Sequence, residues 1–561
     1  MSYLDVPRLH FAGSFVAKPS TLNNTGSNFE PNVTDPYVSW NPNGNHYWQF
    51  LKCTVQSAVN SEGRVKKDPV LGAAVLSTDT PSPAKLVDLD TEQQLVSQIW
   101  GLQIKVAAAE ADYFVGNFRA VAFNDINFGR EINGSGDAAA SAYFQSVLDD
   151  VTWGGGISSP ILKKLKSISP TSLSIKFVVD LFNQDKKRGR IVGTIGPAFA
   201  DEPHNFVLGR ALRPAGGNSP LWFGYARVDK TRKKVLIDLG NSIPTKSPTG
   251  TPPNLGTLQV AIIPPSGSPS ILGVYDYSKA AYQATAGIQE YPVTPDQLAA
   301  LASMPLGVIQ TTGPGASPVV PLQEGANCTY VNATEMVYRM NPGDVADVKL
   351  IALQFGERAA NQQISLTLSG DLLQPAPISA APPLSPPPPQ PQVPTAMIPV
   401  ATPTSALTFI PGVTTGADGT ATFQLTASDP GNPRGFIDGQ VYNVGYTWAL
   451  DQDASFPPDP NGALSVLVFD TYAGEPTWEG VQPFLAQYAK LYPFMDSLFP
   501  PGLGDPTVYQ PPNTVTFQRY LNFPIRDSRY MPVTRDMSND KRQLLLEWLA
   551  AGAPGPATSK G

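Results

Sequence analysis

Cysteine is almost missing, with two residues, Cys53 and Cys328, in a chain of 561. Two thiols make no disulfide framework, and no Cys-x-x-Cys pair offers a zinc or redox motif. Histidine is as scarce: His10, His46 and His204 lie far apart and form no His-Glu-x-x-His helix, so no metal site is expected from the residues themselves. Charged residues make up 15% of the chain, against about 25% in an average protein. The net charge is −7, which argues against nonspecific nucleic-acid binding, since that needs a basic stripe. No run of apolar residues is long enough for a membrane-spanning helix. The opening Met1–Arg8 lacks the basic-then-apolar pattern of a secretory signal. The sequence therefore reads as a soluble, cytoplasmic, reduced protein with no nucleic-acid or membrane partner. Also missing are a Gly-x-Ser-x-Gly elbow, a phosphate loop and a dinucleotide fingerprint.

Proline and glycine are plentiful, at 58 and 48 residues, as suits short strands joined by turns. Twelve prolines fall between Pro375 and Pro403, and no charged residue occurs between Asp371 and Asp418. Consecutive prolines lack N–H donors and fix φ, so this stretch favours polyproline II over a sheet interior. It suggests a linker at 373–405. A β-rich body of one or two subdomains precedes it at 1–372. An immunoglobulin-like β domain follows at 406–475, then a helical segment at 476–550 docking on the body, and a flexible tail at 551–561.

Period-two alternation predicts strands in the body at 173–179, 190–195, 234–238, 258–263 and 364–368, and after the linker at 420–426, 436–437, 441–448 and 464–469. No regular strand–helix alternation is present, so the expected fold class is mainly β and antiparallel, in several domains. Helices are predicted at Ala138–Leu148, on an alanine-rich run, and from Thr294, where Thr294, Pro295 and Gln297 make a capping box. Helical spacing of Val481, Phe484, Leu485 and Tyr488, and a final helix from Ser538 to Ala550, close the chain.

Several segments carry a resemblance. Pro7-Arg8-Leu9-His10-Phe11-Ala12-Gly13 with Asn23-Asn24 opens the series. Gly193 through Gly209-Arg210-Ala211-Leu212-Arg213-Pro214 follows, then Tyr282-Gln283 through Gly287-Ile288 to Pro292. Tyr488-Ala489-Lys490-Leu491-Tyr492-Pro493-Phe494-Met495 with Tyr530-Met531-Pro532-Val533-Thr534-Arg535-Asp536 ends it. In that order they resemble the N-terminal half of the violacein-pathway imine dimer synthase and chromopyrrolic acid synthase family. The family's ferritin-like C-terminal half has no counterpart in this sequence. The resemblance implies natural-product biosynthesis, oxidative coupling of amino-acid-derived imines, and iron or haem as cofactor; the residues alone call for no cofactor.

Candidate catalytic residues are Arg8 and His10, which share one side of a strand, and His46. A histidine beside an arginine can bind or protonate a carboxylate substrate; the alternative is a buried histidine anchoring the first strand. Trp40, Asn45 and Trp48 sit with His46 in an aromatic, amide-rich loop suited to a planar ligand, or to turn chemistry alone. Arg210 and Arg213 can clamp a substrate carboxylate, or pair with internal acids. Asp201, Glu202 and His204 can hold a divalent ion, or form a solvated loop. Arg434 can pair with Asp438 across a turn, and 530–536 can lock the tail to the body.

Two functions follow. The first is a secondary-metabolism enzyme or enzyme partner acting on a small aromatic or amino-acid-derived intermediate by condensation, coupling or cyclisation. The second is a noncatalytic binding or scaffold protein of β-sandwich type. Self-association and a protein partner are both left open.

Overall fold

The computed structural model describes residues 3–20, 41, 43–78, 81–90, 96–131, 136–181, 188–216, 219–243, 251–368, 401–435, 437–451, 456 and 462–556. The expected linker lies almost wholly outside them, as do Trp40 and Phe436. The chain is mainly β, in three sheet-built units and a helical C-terminal segment. No helix among the described residues is long and apolar enough to cross a membrane.

The first unit is a closed antiparallel barrel. Its ring runs Arg8–Lys18, Arg188–Pro197, Leu173–Leu181, Gly136–Trp153, Tyr113–Phe118, Gln103–Ala107, Ala74–Ser77 and Tyr47–Asn60, which returns to Arg8–Lys18. Strict alternation drives it: Leu9, Phe11, Trp48, Phe50, Ile175 and Phe177 point inward and pack solidly, while Arg8, His10 and Lys176 point outward. Glycines let the walls approach. A Cβ on Gly193 would lie 2.3 Å from Phe11 Cζ and 2.6 Å from the Lys176 carbonyl oxygen. The helix Pro160–Ile168, capped by Ser159, buries Ile161, Leu162 and Leu165 against the same core.

The expected helix at 138–148 is instead part of the barrel strand Gly136–Trp153, which pairs with Leu173–Leu181 from Ala140↔Leu181 to Leu148↔Leu173. Phe144 and Leu148 face the barrel core while Tyr143 faces the neighbouring unit, a period of two that no helix gives. Non-local pairing overrides alanine's helix preference here.

In the second unit, eight strands run from Ser270–Tyr275 at one end to Ile288–Pro292 at the other. The sheet curls until its ends meet, where the Tyr291 hydroxyl donates to the Val274 carbonyl at 3.1 Å. Leu212, Val235, Ile237, Val260 and Leu306 fill it. The predicted helix at 294 is Pro295–Ala300, with both halves of the Thr294–Gln297 capping box formed.

The third unit is a sandwich, and it corrects the expected domain boundary. Val345–Gln354 pairs with Thr420–Ala427, and Gln363–Leu368 with Gln440–Trp448. Each sheet thus takes strands from both sides of the proline-rich segment, so 406–475 is not a unit by itself and 1–372 is not a complete body. Proline content reports the local backbone and says nothing about which distant strands pair across it. Leu350, Ile364, Phe423, Val444 and Val466 form the core.

Trp478–Leu491 and Asn539–Ala550 are the principal C-terminal helices, packed through Trp478, Tyr509 and Trp548. The 530–536 segment fastens them. Tyr492 donates to Asp536 Oδ2 at 2.7 Å, and Arg339 Nε of the sandwich donates to the Arg535 carbonyl at 3.2 Å. Arg434 reaches past Asp438 to Asp90 of the barrel unit, at 2.9 Å and fully buried.

Candidate functional site

Arg8 and His10 share the outward side of the first strand, as alternation predicts. His10 lies directly opposite Thr194 on one neighbour and Ser57 on the other. Its Nδ1 is 2.9 Å from Thr194 Oγ1, and its Nε2 accepts from Arg8 Nε at 3.3 Å. Arg8 also donates to the Leu4 carbonyl and to Glu290 at 2.7 Å. His10 is 1% exposed. Burial, with Arg8 and Lys176 adding repulsion, holds its pKa well below the ordinary histidine range. It is thus a neutral imidazole with both nitrogens engaged.

The surroundings continue that pattern across the barrel wall. Lys176 follows Thr194 in register, and its Nζ meets Asp238 Oδ1 at 2.9 Å and the Ala286 carbonyl at 3.2 Å. Tyr3 donates to the other Asp238 oxygen at 2.9 Å. Ser57 donates to the Ala284 carbonyl. Arg8, Ser57 and Lys176 on the barrel exterior are therefore each met by a group of the second unit, while His10 and Thr194 pair within the row. Sequence reading missed Lys176 and Asp238. The signal was there: Ser174, Lys176 and Asp180 alternate with Leu173, Ile175, Phe177 and Val179.

His46 does not join His10. Ser57 is beside His10 and Tyr47 beside Lys18, and that stretch of strand spans roughly 30 Å at about 3.3 Å per residue. His46 sits in the left-handed region at φ 60, its Nδ1 3.1 Å from the Leu86 carbonyl oxygen and its ring edge-on to Tyr492. Burial pushes its pKa down to about 4. Trp48, expected as a ligand-stacking ring, is inside the barrel against Phe15, Phe50 and Phe177. Asn45 does turn work, its Oδ1 accepting the Tyr47 amide at 3.1 Å.

The arginine pair is likewise internal. Arg210 binds Glu324 at 2.7 Å, both buried, and donates to the Leu301 and Met304 carbonyls. Arg213 binds Asp451 at 2.7 Å, joining the second unit to the sandwich. Of the two expectations for Arg210 and Arg213, pairing with internal acids is the arrangement seen, and Trp48 packs in the barrel core instead of lining a ligand loop.

A small cleft lies where barrel, sandwich and helices meet, lined by Leu89, Asp90, Asp438, Tyr488, Asp536 and Lys541. Its carboxylates are engaged: Asp90 by Arg434, Asp438 by Lys541 and the Ser538 amide, Asp536 by Tyr492.

Iron or haem is implied by the resemblance alone. No three His, Cys, Asp or Glu side chains among them converge as metal donors, which also removes the divalent-ion expectation for Asp201, Glu202 and His204. Of the side chains that could serve a haem as axial ligand, His10 has both nitrogens engaged, and Cys53 and Cys328 are buried with pKa values raised by burial, whereas His46 Nε2 is buried with no hydrogen-bond partner among the described residues.

No family model and no curated protein matches the chain. Among solved structures it is similar in part to an S-layer protein, described as the crystal structure of the S-layer protein rSbsC(31-844), at 10% identity. The match covers 76% of this chain and 54% of that one, with a TM-score of 0.15, at which the likeness supports nothing about fold or function.

Proposed function

We propose that this chain is a noncatalytic binding or scaffold protein. One observation carries the reading: His10 is a neutral, sealed imidazole, 1% exposed, bonded on both sides by Arg8 and Thr194. A general acid or base must reach its substrate, directly or through one water. His46, Arg210 and Arg213 add no second centre, each being held apart from the others with a partner of its own.

The resemblance to imine dimer synthases supplies the test. His10→Asn is compared with the native chain on an amino-acid-derived imine, at a temperature where circular dichroism finds both folded. The expected outcome is no turnover by either, with a lower Tm for the variant. Turnover by the native chain that disappears in the folded variant would sink the scaffold reading.

A further inference from the structure

Three cationic side chains gather around Trp100, with a fourth over the nearby Tyr530, beside the junction of barrel sheet, sandwich and C-terminal segment. Lys85 lies directly opposite Trp100 in the strand pair Ala84–Val87 and Gln98–Trp100. Arg339 reaches in from the sandwich, its Cζ 5.4 Å from the Trp100 ring centroid, and Arg535 from the C-terminal segment, at 5.1 Å. Arg542 stands behind, over Tyr530.

Their hydrogen bonds go to neutral groups. Arg535 donates to the Ile525, Val533 and Asp527 carbonyls, Arg339 to Gln98 Oε1 and the Arg535 carbonyl, Lys85 to the Asn45 carbonyl, and Arg542 to the Leu521 carbonyl and the Tyr530 hydroxyl. Among the described residues none of the four has a carboxylate in ion-pair contact. Asp536, the acid acting on Arg339, accepts from Thr534 and Tyr492, and Asp527 pairs with Arg529.

Buried positive charge without a counter-ion is unfavourable. Burial lowers the pKa of Arg339 to about 10, of Arg535 to about 9 and of Lys85 to about 8, with Arg339 adding repulsion at Arg535 and Arg535 at Lys85. Two donors in the cluster are buried with no partner, Arg339 Nη2 and Trp100 Nε1. Arg339 Cζ lies 5.4 Å from the Trp100 ring centroid, so both donors stand beside one ring, where different oxygens of one tetrahedral oxyanion can each accept an N–H···O bond of about 2.9 Å. Lys85, Trp100 and Arg339 are each only partly buried, so the edge of the cluster reaches the surface while the two unpartnered donors lie beneath it.

We propose that Arg339 and the Trp100 indole N–H, with Lys85 and Arg535 supplying charge, bind a small oxyanion of the phosphate class. This goes beyond the scaffold reading and stands whether or not the chain turns over a substrate.

The test is calorimetric titration of the full chain with inorganic phosphate, against sodium chloride at matched ionic strength, alongside Tm measured with each. Saturable binding and a Tm that rises with phosphate are expected. Trp100→Phe keeps the ring and removes the donor, and is expected to weaken binding at least tenfold; Arg339→Gln is expected to do the same. Lys85→Gln, at a partly exposed position, keeps the test decisive if either of those fails to fold, with a several-fold loss expected. Phenyl phosphate binding tighter than inorganic phosphate marks the site as one for a larger phosphorylated ligand, and equal affinity as one for free phosphate; both support the assignment. No saturable binding to the native chain, or equal phosphate affinity in the native chain and every folded variant, overturns it.

Discussion

His46 places a titratable group where the fold disfavours its charge. Its folded pKa is about 4, against about 6.5 in an unfolded chain. The unfolded chain therefore takes up the proton first as pH falls. Stability is full above about pH 6.5 and is lost progressively toward pH 4, by an upper figure of about 3 kcal/mol. His46→Asn tolerates the positive φ and is expected to flatten that slope; urea midpoints at pH 7 and pH 4.5 for variant and parent measure it, and an unchanged slope contradicts the assignment. Much of the residue-scale pattern was legible. Arg8 and His10 share a side as alternation requires; Trp48-x-Phe50 also alternates with Tyr47 and Gln49 as a barrel wall does, but the turn formers Asn41-Pro42 and Asn43-Gly44 just before it make it read as a loop. What covers the outer side was not legible, because Asp238 and Glu290 come from strands far along the chain. A histidine facing solvent and one facing Arg8 and Thr194 have the same local sequence.

Among the elements, the regular strands were the most readable: Lys234–Asp238 has the expected bounds, and Gln363–Leu368 and Thr420–Ala427 differ by one residue. Gly136–Trp153 was misread because alanine weakly favours helix, whereas pairing on both edges of the strand decides the outcome. The barrel's tight contacts give a sharper expectation. Gly193→Ala would push a methyl into Phe11 and the Lys176 carbonyl, an overpacking worth up to about 3 kcal/mol. Gly155→Ala meets nothing within 4 Å and is expected to stay within about 0.5 kcal/mol of the parent. Chemical denaturation of the two variants separates them; equal stabilities would contradict the packing described for the barrel wall.

At the scale of the whole molecule, the units are joined by buried charge pairs as well as apolar contact: Arg434–Asp90 between barrel unit and sandwich, Arg213–Asp451 between second unit and sandwich. Fold class was legible from composition and alternation, but unit boundaries were not, since strand pairing across 369–400 leaves no local mark. A fragment of 401–475 is therefore expected to lack cooperative unfolding, while 326–475, which restores Val345–Gln354 and Gln363–Leu368, gains it. Thermal melts by circular dichroism compare them, and a cooperative melt of the shorter piece would refute the shared sandwich.

The shared sandwich also sets an order on synthesis. Val345–Gln354 leaves the ribosome well before Thr420–Ala427, the strand that completes one of its edges. In that interval the nascent chain carries an unfinished sheet with free N–H and C=O groups, the kind of surface that recruits the wrong strand. The proline-rich stretch lies within that interval, so the edge waits until the whole of it has been made.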